Sequence, residues 1–184
     1  LAGTIRGAGL SAMPSGTNVS ATDSSAPTMT DFSCSYPPVS SSVSPDTAGL
    51  YQMILMRNRS YGPVVAIPLM QGTKVIGTLL FPASASAVNL TGDTTYDFNL
   101  PNLPGQVNIS GRVTDSGAKG VNNVSVSAFT QTVSGAPNLQ FSAGTTTDAT
   151  GSYSFAVLIG TNYTLTFTPP TPKPIIIKPS CETV

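Results

Sequence analysis

The stretch Asp148-Ala-Thr-Gly-Ser-Tyr-Ser-Phe155 decides the fold class. Its first four residues are typical of a tight turn, because an Asp side chain accepts hydrogen bonds from nearby backbone and glycine adopts positive φ. Apolar residues then recur at every second position as far as Val157, which is the pattern of a strand with one buried face. Tyr163, Leu165 and Phe167 repeat this alternation. No segment has the 3.6-residue apolar spacing of a helix, so we expect an all-β fold.

Four sequence anchors occur in the same order in both halves of the chain, which indicates an internal repeat. They are Leu1–Gly7 with Ile109–Asp115, Thr17–Asp23 with Asn123–Ala128, Asp46–Met53 with Asp148–Phe155, and Tyr61–Ala66 with Tyr163–Phe167. We therefore predict two tandem domains, residues 1–103 and 104–184.

The two predicted domains differ in two places. The first carries a Ser/Pro-rich insertion over residues 24–45, and loops of this length are usually functional or mobile. The first also continues after Tyr61 through several further apolar strings, whereas the second offers only the Ile175–Ile177 string before Val184. We expect the second sandwich to lack its closing strand.

The segments Ile109–Asp115, Val121–Ala128 and Asp148–Phe155 resemble the carboxypeptidase regulatory-like domain, one of the transthyretin-like and Cna-B-like group of sandwiches. The resemblance implies two tandem antiparallel immunoglobulin-like (transthyretin-like) β-sandwiches. It implies little about activity, because modules of this family serve as spacers, stalks and binding platforms.

The alternation of apolar residues predicts a separate core for each domain. The core of the second is expected to contain Val113, Val124, Val126, Tyr153, Phe155 and Leu165. The core of the first is expected to contain Ile5, Val19, Tyr51, Met53 and Val65.

The charge content excludes several classes of partner. Only 9% of residues are charged, against about 25% in ordinary soluble domains, and 23 Ser and 24 Thr supply the polar surface instead. The eight basic and eight acidic residues cancel. We expect no nucleic-acid partner, because that would need a basic face. No apolar run approaches the roughly 20 residues of a membrane-spanning helix.

The residue types needed for catalysis are scarce. There is no histidine to activate a serine or to bind zinc, and most Asp residues stand beside Gly, Ser or Thr in turn-like strings. No Asp-x-Asp-x-Asp loop for calcium occurs. We expect no enzyme activity, no cofactor and no metal site.

Two kinds of covalent modification are expected. Candidate N-glycosylation sequons begin at Asn18, Asn58, Asn89, Asn108, Asn123 and Asn162. Cys34 and Cys181 belong to no Cys-x-x-Cys pair, so we expect them to be oxidised in a disulfide. Strands counted alternately up and down put them about one domain length apart, which favours a bond between neighbouring subunits.

The Ile175–Ile177 string has two readings. It is either an ordinary edge strand, where the flanking prolines are tolerated, or an assembly strand that completes the sheet of another copy. We predict a non-enzymatic structural subunit of an extracellular fibre, pilus or surface array, a homopolymer that assembles head to tail by strand sharing, with either the Leu1 strand or the Ile175–Ile177 strand of a neighbour as the donor. The alternative is a stalk or accessory binding module of a larger secreted enzyme or adhesin.

Overall fold

The computed structural model describes residues 1–24 and 40–170, and within these ranges the chain forms thirteen β-strands and no helix. The all-β prediction is therefore confirmed. In chain order the strands are β1 (Ala2–Gly7), β2 (Asn18–Asp23), β3 (Ser40–Val43), β4 (Leu50–Gln52), β5 (Arg59–Gln71), β6 (Lys74–Phe81), β7 (Val88–Leu90), β8 (Phe98–Leu100), β9 (Gln106–Arg112), β10 (Ser125–Thr130), β11 (Gln140–Thr146), β12 (Ser152–Leu158) and β13 (Thr164–Thr168).

The strands form one long sheet and two small ones. The long sheet has the order β13-β10-β11-β6-β5-β2-β3, and β7 pairs with the first residues of β5. The small sheets are β4-β1-β8 from the first half of the chain and β12-β9 from the second. Pairing between named strands is antiparallel except for β8, which runs parallel to β1.

The long sheet crosses the predicted domain boundary, which lies between β8 and β9. Strand β6 belongs to the first half, and its residues Thr78–Leu80 pair with Gln140–Ser142 of β11 in the second half. One strand thus has a neighbour from each half, and backbone hydrogen bonds hold the two halves in one sheet. The sequence analysis did not predict this link.

One face of the long sheet carries the core. Val19 lies opposite Val65 on neighbouring strands, and Leu79 lies between Ile67 and Phe141. All five side chains are buried, and complete burial of each contributes roughly 1.5–3 kcal/mol. The small sheets cover this face, since their inward residues belong to the same cluster of buried side chains. The structure thus has one continuous core where two separate cores were predicted.

Most of the predicted core residues are buried, but those nearest β13 are not. Val124, Val126 and Phe155 are buried, as are all five residues predicted for the first half. Val113 and Tyr153 are only partly buried, and Leu165 is exposed. The prediction for Leu165 was wrong because β13 ends the long sheet, and only two strands of the described chain face that end.

The turns that precede β4 and β12 are built alike. The Asp148 carboxylate accepts backbone N–H bonds from Thr150 at 2.8 Å and Ser152 at 3.0 Å, while Gly151 holds φ at 80°. Asp46 accepts the matching bonds from Ala48 and Leu50, at 2.9 and 2.8 Å. In each turn the carboxylate therefore accepts the hydrogen bonds of backbone N–H groups in the loop. The strand that follows then pairs with its neighbour, β4 with β1 and β12 with β9.

The Asp148 turn also favours the ionised form of the Asp148 carboxyl group. The hydroxyl of Thr150, the backbone N–H groups of Ser152 and Thr150, and the Arg112 guanidinium hold the pKa of Asp148 below its ordinary value of 3.8. Because these donors favour the charged carboxylate, the folded state is stabilised when Asp148 is ionised.

Replacing Gly151 by alanine tests how tightly this turn is packed. A methyl group there would overlap the Val113 carbonyl oxygen and stand 2.8 Å from the Cα of Gly120. Gly135 is the matched control, since it also has positive φ, 76°, but has open space around it. Both changes strain the backbone by about 1–2 kcal/mol, and we expect Gly151→Ala to cost about 1–3 kcal/mol more. Urea denaturation measures both, and equal losses would contradict the packing described.

The stability contributed by Asp148 should depend on pH in a defined direction. A carboxylate with a lowered folded-state pKa stabilises the protein above its unfolded pKa, and this contribution is lost as the pH falls through the folded value. We expect Asp148→Ala to lower the melting temperature at pH 7, and the difference from wild type to shrink below about pH 4. Asp93→Ala serves as control, because no hydrogen bond of that carboxylate is seen in residues 1–24 and 40–170. A difference that stays constant down to pH 2 would refute the assignment.

Candidate assembly surface

The small sheets of the two halves share one feature, a glycine opposite a tyrosine. Gly3 of β1 lies opposite Tyr51 of β4, and Gly111 of β9 lies opposite Tyr153 of β12. In both pairs the tyrosine hydroxyl lies over the glycine, 2.9 Å and 2.5 Å from the place of a Cβ atom. Larger side chains at these glycines would displace the ring. The pair β9–β12 is thus built like the pair β1–β4.

A second tyrosine in each half ties a loop to the end of a strand. The Tyr163 hydroxyl accepts a hydrogen bond from the Leu158 N–H and donates one to its carbonyl, both at 2.9 Å. The Tyr61 hydroxyl accepts from the Met56 N–H at 3.2 Å. In both halves the tyrosine hydroxyl therefore bonds to the backbone of the residue five positions earlier.

The halves differ at the outer edge of the small sheet. In the first half β8 lies along that edge of β1, with Phe98 opposite Ile5. The Phe98 ring is only 1% exposed and packs against the Tyr51 ring at 5.7 Å between centroids. The Tyr51 hydroxyl donates to the Tyr96 carbonyl, which leads into β8. Burial and the neighbouring Asp97 carboxylate raise the pKa of Tyr51 well above its usual range. Tyr51 on β4 is therefore enclosed by its own strand and by β1 and β8.

In the second half, no third strand lies along this edge in the part of the chain that the structure describes. Strand β9 pairs with β12 alone. The Tyr153 ring packs against Phe155 at 6.3 Å and Phe167 at 5.8 Å, and its hydroxyl has no hydrogen bond within the described residues. Tyr153 therefore occupies the place of Tyr51 without the strand that covers Tyr51.

Apolar side chains are exposed where the third strand is missing. Val107 of β9 is 46% exposed, and Leu165 and Phe167 of β13 are 37% and 44% exposed. Their register partners Val157, Ala128 and Val126 are buried, so all three side chains are on the faces that should enclose the core. We call these three residues the open face. These side chains belong to the end strands of two sheets, and exposed apolar groups on core-directed faces are candidates for an interaction surface.

The described residues offer no other grouping with evident chemistry. A groove of about 390 Å³ on β6, β10 and β11 is lined by Gly, Ser, Thr and short aliphatic side chains, none of which ionises. No group of three Cys, Asp or Glu that could hold a metal ion occurs in residues 1–24 and 40–170. No helix in these ranges is long and apolar enough to cross a membrane.

The sequon asparagines are accessible with one exception. Asn18 is partly buried at the start of β2, and the other five are exposed. The exposed ones are Asn58, Asn89, Asn108, Asn123 and Asn162. Attached sugar would therefore meet no packed side chains at these five positions, and glycosylation stays a prediction.

The remaining predicted residues lie outside the described ranges. Cys34, Cys181 and the assembly strand Ile175–Ile177 fall in residues 25–39 and 171–184, so their pairing stays a prediction. Sequence reasoning also missed the role of Tyr153 as the exposed counterpart of Tyr51. The alignment of Asp46–Met53 with Asp148–Phe155 contained that signal, because it pairs the two tyrosines.

Comparison with known proteins supports part of this description. Residues 108–176 match the family model of the carboxypeptidase regulatory-like domain, a β-sandwich family. The match confirms the resemblance for the second half of the chain and does not include the first half, where the resemblance stays a prediction. Neither the curated proteins nor the solved structures contain a match to this chain. Residues 108–176 are thus similar to the carboxypeptidase regulatory-like domain, a β-sandwich family.

Proposed function

We propose that this chain is a non-enzymatic structural subunit that assembles head to tail by strand sharing into an extracellular fibre, pilus or surface array. One observation carries the proposal. The small sheet of the first half has three strands, whereas the described residues of the second half supply two to a sheet built in the same way. The open face lies at that gap.

Strand addition would pair the free backbone groups of the edge strand and would also cover apolar side chains of the open face. An edge strand presents a row of backbone N–H and C=O groups that can pair with another chain. An added strand bonds to those groups, and its alternate side chains fill the apolar pockets beside them. Val107, Leu165 and Phe167 would then be covered as Tyr51 is covered by Phe98. Residues 1–170 would provide the acceptor and Ile175–Ile177 the donor.

The surface chemistry supports a location outside the cell. Only 9% of the residues are charged, so hydroxyl side chains provide much of the hydrated surface. Covalent sugar would add further hydroxyl groups to that surface. Five exposed sequons offer positions for it. In the same proposal Cys34 and Cys181 form a disulfide between neighbouring subunits, as an oxidising compartment permits.

A second candidate function is a stalk or accessory binding module of a larger secreted enzyme or adhesin. The family match favours it, because such modules occur as spacers. The continuous long sheet favours it too, since the β6–β11 pairing would make the two halves a stiff rod. Electron microscopy of the purified native protein separates the candidates, because only the structural subunit forms filaments on its own.

The mass of the intact native protein tests the proposed location. We expect a mass above the 18.8 kDa of the polypeptide, with the excess carried on at least one of the five exposed sequons or on the Ser/Thr-rich residues 40–45. Enzymatic removal of N-linked sugar should reduce the mass in the first case. A native mass equal to that of the bare chain would contradict glycosylation.

Deleting residues 174–184 tests assembly. We expect the full chain to form filaments in electron micrographs, and the shortened chain to run as monomers in size-exclusion chromatography with a lower melting temperature. The control is Ile54→Asn, which alters a side chain that is 93% exposed and lies outside the open face. It should leave filaments intact. Filaments of normal length from the shortened chain would exclude Ile175–Ile177 as the donor.

A further inference from the structure

The outer edge of β9 presents a defined set of backbone groups. The Val113 N–H donates to the Gly151 carbonyl at 2.8 Å, so Val113 faces β12. Backbone groups of neighbouring residues alternate between the two sides of an antiparallel strand. Ser110 and Arg112 therefore direct their N–H and C=O groups to the other side, where no strand of the described chain pairs with them.

The first half shows which strand fits this edge. Ala2 occupies the place of Ser110, because Ala2 and Ser110 directly precede Gly3 and Gly111. The Ala2 N–H donates to the Thr94 carbonyl at 3.0 Å, and its carbonyl accepts from the Tyr96 N–H at 2.8 Å. Beyond this point β8 continues parallel to β1.

Strand β8 has a simple sequence requirement. Phe98 and Leu100 are buried and Asn99 between them is exposed, so the strand needs an apolar residue at its first and third positions. Pro101 follows and ends the pairing, since proline has no N–H to donate. Three residues are therefore enough to cover Ile5–Gly7, while Thr94 and Tyr96 bond Ala2.

The Ile175–Ile177 string meets that requirement. It supplies apolar residues at positions one and three, and Pro174 and Pro179 limit its length. The family match extends beyond the end of β13, through residue 176, so the family pattern itself includes part of the string. We infer that Ile175–Ile177 adds as a third strand that runs parallel to β9, opposite Val113–Asp115 as Phe98–Leu100 lies opposite Ile5–Gly7, with the residues just before Pro174 beside Ser110. The inference rests on the proposed function only in taking this strand from a neighbouring copy.

Tyr153 gives the added strand a fixed position. In the first half the Tyr51 hydroxyl donates to the carbonyl of Tyr96, just before β8. Tyr153 lies over Gly111 as Tyr51 lies over Gly3, and its hydroxyl has no other partner within the described residues. It is therefore placed to donate to a carbonyl just before Ile175, and Tyr153 acts as a positioning residue for strand addition.

Hydrogen–deuterium exchange on the full chain tests the inference directly. We expect the amide of Ser110 to exchange at least about 100-fold more slowly than exposed amides, because its counterpart Ala2 donates to the backbone that leads into β8. Replacing Ile175 and Ile177 together by asparagine should abolish the protection. Ile176→Asn is the matched control and should preserve it, since the middle position corresponds to the exposed Asn99. Tyr153→Phe should reduce the protection about tenfold, the effect of one hydrogen bond.

The outcomes separate this inference from the proposed function. Fast exchange at Ser110 in the wild-type chain would overturn the inference, even if filaments form by another contact. Protection that disappears on dilution to monomers supports both. Protection that persists in a monomeric chain supports strand addition at β9 but overturns head-to-tail assembly, because the strand then comes from the same chain. Loss of protection in Ile176→Asn equal to that of the double variant would contradict the predicted register.

Discussion

The apolar face of the long sheet is the constraint on which the rest of this structure depends. Eight strands form the long sheet, and burial of side chains such as Val65, Leu79 and Phe141 is the main source of stability. A face of this width has to be covered along its whole length. The two small sheets provide the cover, so their strand number decides where the core is closed and where it is open. The molecule is closed over the first half and open over the end at β13.

The two small sheets share the same local geometry, so the difference in their number of strands can be interpreted. Each contains a glycine beneath a tyrosine and each is entered from an Asp–Gly turn, so corresponding residues of the two halves can be compared one by one. Tyr51 is closed off by β8, while Tyr153 has only Phe155 and Phe167 as ring partners. The supporting strands match, and within residues 1–24 and 40–170 the two small sheets differ in one strand, β8, which has no counterpart beside β9. The exposure of the open face does not require a different fold.

Local signals made the strands predictable, and long-range pairing was less accessible to sequence reasoning. The Asp148 turn, the alternation through Phe155 and the burial of Val126 follow from turn chemistry and period-two patterning. The pairing of β6 with β11 does not, because the short-range pattern of Thr78–Leu80 fits an edge strand and an inner strand equally well. Leu165 was assigned to the core from its alternation alone, which states the face of a residue but not whether that face is covered.

The candidate assembly surface could likewise be predicted from the sequence only in part. A comparison of the two halves of the sequence predicted a third strand near Tyr163 that the described residues of the second half do not supply. The sequence does not show which edge lacks it, because β13 and β9 both end a sheet. The structure distinguishes the two edges through Tyr153 and Gly111, whose counterparts in the first half lie beside β8. Gly111 and Tyr153 are more than forty positions apart in the sequence, so no local sequence pattern predicts that they lie opposite each other.

The geometry of the β9 edge also bears on the form of any assembly. A strand that adds parallel to β9 uses different surfaces on the two partners, an edge on the acceptor and an extended segment on the donor. Contacts of this kind are heterologous, and they continue from copy to copy unless the rotation closes a ring. The pairing of β6 with β11 keeps the second half fixed relative to the first, so each copy would pass on the same rotation to the next. Under the proposed strand sharing, the regularity of an open filament would therefore depend on the same hydrogen bonds that join the two halves of one chain.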